Sequence, residues 1–136
     1  MTSEQHTTGT DRCGEVAQSI DADIIINIQG DEPLVDYRQL DQLCNAFQDN
    51  SVTIATLGIK SVSEADYQNP NRIKIVLDHQ QNALYFSRSP IPNTANATPE
   101  VQSQLDLYRH IGLYAYRKAT LMELIKLKKT LLEQAE

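Results

Sequence analysis

The chain has few of the residues that crosslink proteins or bind structural metals. Its 136 residues include two cysteines and three histidines. Cys13 and Cys44 lie far apart and form no Cys-x-x-Cys motif, and no histidine has a ligand partner nearby, which argues against a structural zinc site. We therefore expect both cysteines to be reduced and buried, as in a cytoplasmic protein.

Long apolar runs and familiar catalytic signatures are also missing. No stretch reaches the roughly eighteen consecutive apolar residues that indicate a membrane-spanning helix. Residues 1–6 lack the basic and apolar regions of a signal peptide. The GxSxG, Walker A, GxGxxG and HExxH motifs do not occur. The sequence thus gives no support to membrane insertion or to a covalent mechanism.

Basic residues are scarce in the first half of the chain. The net charge is −6, and residues 1–66 contain twelve acidic and three basic residues. This acidic half argues against nucleic-acid binding. An apolar share of 40% and a length of 136 residues are sufficient for one core. We expect a single domain over residues 1–136.

Helical and strand patterns alternate along the first half. Apolar residues recur at helical spacing over residues 13–20 and 40–47, whereas residues 24–28 and 52–57 read as buried strands. Thr8 or Thr10 suits the start of the first helix, and Asp36 with Gln39 forms a capping box for the second. This alternation predicts an α/β fold with a mostly parallel sheet.

The second half has a different pattern. Residues 73–77 and 83–86 flank a polar turn and predict an antiparallel hairpin with one wetter face, which includes Lys74. Residues 89–99 contain three prolines and predict a loop, either over a site or as a plain surface excursion. Residues 109–117 alternate as a strand, and a final helix is expected from about Thr120.

Residues 29–33, Gln-Gly-Asp-Glu-Pro, form the strongest local signal for chemistry. In α/β folds ligands bind beyond the carboxyl ends of the strands. A carboxylate there, such as Asp31, can bind Mg²⁺, which in turn can bridge phosphate oxygens. Gly30 permits a sharp turn beside a ligand. An ordinary acidic turn explains the same residues equally well.

Two further clusters have a functional and an ordinary interpretation. Residues 7–12 could contact phosphate or ribose at a helix start, although capping alone explains them. Arg88 could bind a carboxylate through its fork of donors. His110 shares a strand face with Tyr114 and Tyr116, which could line a polar pocket or the wet edge of a core.

Five runs in order along the chain resemble one enzyme family, the 3-deoxy-manno-octulosonate (KDO) cytidylyltransferases, also called CMP-KDO synthetases. The runs are EQHTTGTDR at residues 4–12, NIQGDEP at 27–33, NPNRIKIVLD at 69–78, ALYFSRSPIP at 83–92 and RHIGLYAYR at 109–117. CMP-sialate synthetases share the general fold but lack the last two strings. The resemblance implies a nucleotidyltransferase-type, Rossmann-like α/β fold with an antiparallel hairpin insertion.

The resemblance implies a reaction and a set of site residues. The anomeric hydroxyl of KDO would attack the α-phosphate of CTP, releasing pyrophosphate and forming CMP-KDO for lipopolysaccharide assembly. Asp31 and Arg88 are implied as catalytic residues, with Asp31 a Mg²⁺ ligand and Arg88 the partner of the sugar carboxylate. The other implied substrate contacts are Thr8, Gly9 and Thr10 at the cytidine, Gln29 at the nucleotide or the sugar beside Asp31, and His110 and Tyr114 at KDO.

The resemblance has gaps that affect the expected activity. Thr8 stands where the family usually has serine. The family's N-terminal loop with the CTP-phosphate Arg and Lys is not found, nor is its C-terminal Val-Asp-Thr turn with a second metal ligand. We expect a central fragment with weak or no activity alone, a cytoplasmic location and a homodimer. A non-catalytic dimerisation or binding fragment and a cytidylyltransferase for another acid sugar are the alternatives.

Overall fold

Helices and strands are short and alternate along most of the chain. The computed structural model describes residues 1–30, 34–61 and 63–135. In these residues the elements are α1 (Gly9–Gln18), β1 (Ile24–Ile28), α2 (Tyr37–Ala46), β2 (Ile54–Ser61), α3 (Glu64–Gln68), β3 (Lys74–Leu77), β4 (Ala83–Ser87), α4 (Pro99–Gln104), β5 (Leu107–Arg117), α5 (Lys118–Leu124) and α6 (Leu131–Ala135).

The chain divides into two compact units. The first unit comprises Met1–Leu57 with Gly112–Thr130, and the second comprises Gly58–Ile111 with Leu131–Glu136. The long strand β5 contributes residues to both units. The expectation of one domain over residues 1–136 remains a prediction.

The fold is α/β, as predicted, but the expected mostly parallel pairing is wrong. In the described residues, five strands form a sheet of order β1-β5-β3-β4, with β2 also paired with β5. The pairings β1–β5, β3–β4 and β3–β5 are antiparallel. The alternation of helices and strands predicts parallel pairing only if consecutive strands are neighbours in the sheet. Here β1 pairs with β5, a strand from much later in the chain.

In the first unit, β5 lies between β1 and β2. The Arg117 N–H donates to the Thr53 carbonyl, and the Thr56 hydroxyl donates to the Leu113 carbonyl at 2.7 Å. Residue numbers rise along β2 from 53 to 56 while those of their partners in β5 fall from 117 to 113, so β2 runs antiparallel to this part of β5. Since β1 is also antiparallel to β5, β1 and β2 point the same way without pairing directly.

Local capping determines where the first two long helices begin. Thr8 caps α1 and forms a capping box with Asp11, and Asp36 forms the corresponding box with Gln39 at α2. In each box the side chain of the cap residue accepts a hydrogen bond from a backbone N–H of the first turn. The side chain three residues later accepts one from the backbone N–H of the cap residue. The predicted start of α2 is confirmed, and of the two predicted caps for α1 the structure uses Thr8.

The core of the first unit joins α1, β1, β5 and α5. Ala17, Ile25, Tyr116 and Leu121 are buried together. Helix α1 approaches α5 closely at Gly14, where an added Cβ would lie 2.9 Å from two carbon atoms of Ile125. A larger residue at this crossing would require the Ile125 side chain to shift.

The second unit contains the predicted antiparallel hairpin of β3 and β4. Its turn is organised by Asp78, whose carboxylate accepts the N–H groups of Gln80 and Asn82, and Gln81 adopts a φ of 66°. The expected wetter face is wrong at Lys74, which is only 3% exposed. Alternation marks the two faces of a strand but does not show what covers them.

Three features of the helices differ from the sequence prediction. Helices α3 and α4 were not predicted, although Ser63 and Thr98 cap them. The single final helix expected from about Thr120 is two short helices, α5 and α6. Leu121 is fully buried, whereas Leu131 is 85% exposed. Short helices depend mainly on packing, so apolar spacing alone does not extend α5 through residues 125–130.

The expected burial of both cysteines is also incorrect. Cys13 is half-buried and Cys44 is exposed, and both are free thiols. Cys44 occupies an apolar-patterned position of α2, but the core contact of this helix is made by Leu43. In the described part of the chain, no helix is both long enough and apolar enough to cross a bilayer.

Candidate functional site

The start of α1 is held by a dense set of hydrogen bonds around Asp11. The Thr8 hydroxyl accepts the Asp11 N–H at 3.1 Å and donates to the Asp11 carboxylate at 2.7 Å. The same carboxylate accepts the Thr8 N–H and the Thr7 hydroxyl. These bonds, chiefly from Thr8, lower the pKa of Asp11. The ordinary interpretation, capping, therefore applies to Thr8, and it also fixes the position of the first helical turn.

The first helical turn lies beside the end of β1. A Cβ at Gly9 would lie 3.6 Å from the side-chain nitrogen of Asn27, a polar residue that is only 8% exposed. Two residues later, the Gln29 amide packs over Gly112 of β5, where an added Cβ would lie 3.3 Å from it. The backbone of Gly9 thus approaches β1 closely, and Gly112 leaves room for Gln29.

Tyrosines of β5 border the same helix start. The side chains of Thr10 and Tyr116 are hydrogen-bonded, while burial raises the pKa of Tyr116. The rings of Tyr114 and Tyr116 stack with centroids 6.2 Å apart. This confirms that the two tyrosines share a face of their strand. In the first unit the structure therefore brings together Thr10, Gly9 and the residues ending β1.

In the second unit, Arg88 directly follows β4. Its guanidinium donates to the Pro70 carbonyl at 3.3 Å. Its own carbonyl accepts a hydrogen bond from the ammonium of Lys74, which also donates to the Asn69 carbonyl at 3.0 Å. Arg88 is thereby connected through both its main chain and its side chain to the turn that precedes β3.

His110 lies on β5 in the second unit. Its backbone N–H donates to the Ile73 carbonyl at 2.8 Å, and its ring meets the Phe86 ring edge to face, with centroids 5.0 Å apart. Burial lowers the pKa of His110 to about 4. The imidazole is therefore neutral at pH 7 and offers one donor and one acceptor rather than a positive charge.

The loop predicted over residues 89–99 is attached to α3. The Tyr67 hydroxyl donates to the Pro92 carbonyl, and Tyr67 is only 4% exposed. This contact fixes the middle of the loop on the second unit. Its proposed position over a substrate site remains a prediction.

The predicted site residues are distributed over both units. Thr8, Gly9, Thr10, Gln29 and Tyr114 belong to the first unit, and Arg88 and His110 belong to the second. The predicted metal ligand, Asp31, lies outside the described residues. In the ranges 1–30, 34–61 and 63–135, no group of three His, Cys, Asp or Glu side chains is arranged to hold a metal ion.

An apolar groove of about 370 Å³ lies elsewhere in the first unit. None of the predicted site residues that the structure describes borders it. Its lining comes from α1, β1 and the N-terminal segment: Thr2, Arg12, Cys13, Val16, Ala17, Ile20, Ile24, Ile25 and Ile26.

A family profile described as Cytidylyltransferase matches residues 1–136. The chain belongs to the cytidylyltransferase family. It is 41% identical over 143 residues to the 3-deoxy-manno-octulosonate cytidylyltransferase of Geotalea daltonii, covering 100% of this chain and 56% of the relative. It is 45% identical over 140 residues to the protein of that name from Chlorobium limicola, covering 100% and 55%.

A solved family structure has the same fold. It is described as CMP:2-keto-3-deoxy-manno-octonic acid synthetase complexed with CTP. The TM-score is 0.88 at 40% identity, covering 99% of this chain and 54% of that one. The chain thus spans about half the length of the family members it matches.

Several residues at these sites were missed from the sequence. Asn27 lies within the recognised run 27–33, and Tyr116 was seen only as a face-sharing neighbour. Lys74 was assigned to a wet face, although a charged residue between two isoleucines was the available signal. Its contacts with Asn69 and Arg88 depend on tertiary structure, which no local pattern reveals.

Proposed function

We propose that the chain is part of a KDO cytidylyltransferase, which transfers CMP from CTP to KDO and releases pyrophosphate. The observation that carries this proposal is identity of 40–45% across the whole chain to proteins with that name. The CTP complex of a relative with the same fold supports a nucleotide substrate. The reaction would take place in the cytoplasm, and its product would be used for lipopolysaccharide assembly.

In this proposal the start of α1 and the end of β1 contact the nucleotide. The first N–H groups of a helix have no acceptor within the helix and favour anions and polar ligands. Thr8 fixes that turn, so its contribution is mainly to shape. Gly9 and Thr10 present the backbone, and the Gln29 amide over Gly112 offers a donor and an acceptor.

Arg88, His110 and Tyr114 contact the acid sugar in this proposal. An arginine fork matches a carboxylate in two parallel hydrogen bonds, which suits Arg88 to the sugar acid. A neutral His110 suits a sugar hydroxyl instead, because the lowered pKa leaves it uncharged. These residues would bind and orient KDO, so that its anomeric hydroxyl meets the α-phosphate.

Mg²⁺ is proposed as the cofactor, with Asp31 as its ligand. A carboxylate is suitable for Mg²⁺, which offsets charge on phosphate oxygens when bound. The described residues contain no three-ligand group that fits the ion. In this proposal the chain's own residues bind and orient the substrates. None of these roles requires a contact with the metal ion.

Pyrophosphate release tests the proposal. The chain is assayed with CTP, KDO and Mg²⁺ after circular dichroism has shown that it is folded. Because it matches about half of its relatives, a chimera is assayed in parallel, with residues 1–136 replacing the matched 143-residue stretch of the Geotalea daltonii protein. We expect KDO-dependent release by the chimera and little or none by the chain alone.

The acceptor controls separate the alternatives. Release with sialate rather than KDO would indicate a cytidylyltransferase for another acid sugar. A folded chimera that releases no pyrophosphate with either sugar would contradict the proposal. If that chimera still bound CTP or KDO in a calorimetric titration, a non-catalytic binding role would be indicated.

A further inference from the structure

Lys74 is a charged residue in an unusual environment. Its side chain is 3% exposed, at the start of β3. Burying an ammonium is costly unless acceptors replace the lost water. Here the acceptors are two backbone carbonyls, those of Asn69 and Arg88. The amine thus links two residues that lie nineteen positions apart in the sequence.

One of the linked residues is Arg88, and the other belongs to a turn that the Arg88 side chain contacts. The turn at Asn69 is itself ordered, because the Asn69 carbonyl also accepts the Arg72 N–H and its side chain accepts the Asn71 N–H. The Arg88 guanidinium returns to this turn at the Pro70 carbonyl. Lys74 therefore holds the main chain of Arg88 against the turn that its side chain contacts.

The arrangement places two positive charges near each other. Burial lowers the pKa of Lys74, and the charge of Arg88 lowers it further. An anionic ligand at Arg88 would offset this repulsion.

We propose that Lys74 is a positioning residue for Arg88, fixing the point from which its guanidinium reaches the carboxylate of an acid sugar. This inference rests on the proposed function. Lys74 does not touch the substrate in it. It acts through the Arg88 backbone, so its removal should affect the acid sugar and leave the nucleotide unaffected.

Lys74→Met in the active chimera tests the inference. Methionine keeps the length of the buried stem but donates no hydrogen bond. We expect KM for KDO to rise about tenfold or more, as for loss of hydrogen bonds from a charged group, while KM for CTP changes less than about twofold. Lys118→Met is the matched control, since Lys118 donates to the Ile20 carbonyl in the first unit. It should leave both KM values unchanged.

A double-mutant cycle shows whether Lys74 acts through Arg88. Once Arg88→Met has removed the guanidinium, adding Lys74→Met should raise KM for KDO no further. Additive effects, or equal rises in KM for CTP and KDO, would overturn the inference in favour of a general structural role. If Lys74→Met fails to fold, KM for KDO and KM for CTP are measured in Lys74→Gln instead.

The two proposals fail in different ways. An unsubstituted chimera without KDO-dependent release contradicts the proposed function and the inference with it. An active unsubstituted chimera whose Lys74 variants keep the original KM for KDO contradicts only the role of Lys74.

Discussion

At the scale of single residues, environment changes what a side chain can do. His110 and Lys74 are both basic residues on strands, and burial lowers the pKa of each. The identity of these residues is visible in the sequence, and the run containing His110 predicts a strand. Their burial depends on Phe86 against the ring and on the two carbonyls around the amine. Those partners come from other parts of the chain.

His110 should make the stability of the chain pH-dependent. The pKa of the folded state is about 4 against an ordinary value of 6.5. Below pH 6.5 the unfolded chain takes up a proton that the folded chain does not, so this contribution to stability falls as the pH drops from 6.5 to 4. The slope is at most about 1.4 kcal/mol per pH unit, the value for one proton.

Urea unfolding at several pH values between 4 and 7.5 measures this effect. In His110→Gln the same curve should be flatter, because glutamine does not titrate. Carboxylates such as Asp11 contribute equally to both proteins, so the difference between the two curves isolates the histidine. Parallel curves would show that His110 is protonated in the folded chain as readily as in the unfolded one.

At the scale of elements, local chemistry determines where helices begin, and packing determines where they end. The capping boxes of α1 and α2 both involve residues three positions apart. The sequence predicted the box of α2 and, for α1, a cap at Thr8 or Thr10. The end of α5 could not be predicted in this way, because apolar spacing continues past it. Leu121 reaches the core of the first unit, whereas Leu131 and Leu132 of α6 are 85% and 60% exposed.

Thr8→Ala should destabilise the chain by about 1 kcal/mol, the usual cost of losing an N-cap side chain. The variant loses the hydroxyl that accepts the Asp11 N–H. Thr8→Ser keeps that hydroxyl and should remain within about 0.5 kcal/mol of the original chain. Chemical denaturation measures both. An equal loss in the serine variant would assign the effect to the threonine methyl group instead of the cap.

Leucines on α5 and α6 should respond differently to truncation. Leu121→Ala removes a fully buried side chain and should cost about 2–5 kcal/mol, whereas Leu131→Ala on an exposed face should cost less than about 0.5 kcal/mol. Thermal unfolding of the two variants, under conditions where the chain is monomeric, gives the comparison. Similar losses would indicate one continuous, packed terminal helix.

At the scale of the whole molecule, the resemblance predicts a homodimer. The apolar spacing of the C-terminal residues and the tyrosines of β5 make these two segments candidates for an interface. Tyr116 is unsuitable, because it is only 4% exposed and packs in the core of the first unit. The exposed leucines of α6 remain available, and an apolar helix face of this kind suits a symmetric contact.

We expect a homodimer that depends on α6. Sedimentation equilibrium should give twice the chain mass of 15.3 kDa. Leu131→Asp should shift the mass to that of one chain, whereas Leu127→Asp, at a leucine that is 71% exposed between α5 and α6, should not. Dissociation by the Leu127 variant alone would place the contact elsewhere.

The sequence by itself determined the features that depend on neighbours along the chain. These are the N-cap region of α1, the capping box of α2, the hairpin of β3 and β4, and the ordered motifs that identify the family. Capping and turn formation involve groups only a few residues apart, so their partners are visible in the sequence.

Tertiary structure decided the features whose partners are distant in the chain. It placed β5 between β1 and β2, buried Lys74 and joined it to Arg88, and left His110 neutral. It also ended α5 where core contacts end. Pairing, desolvation and packing depend on which segments meet in space, and neither periodicity nor composition specifies that choice.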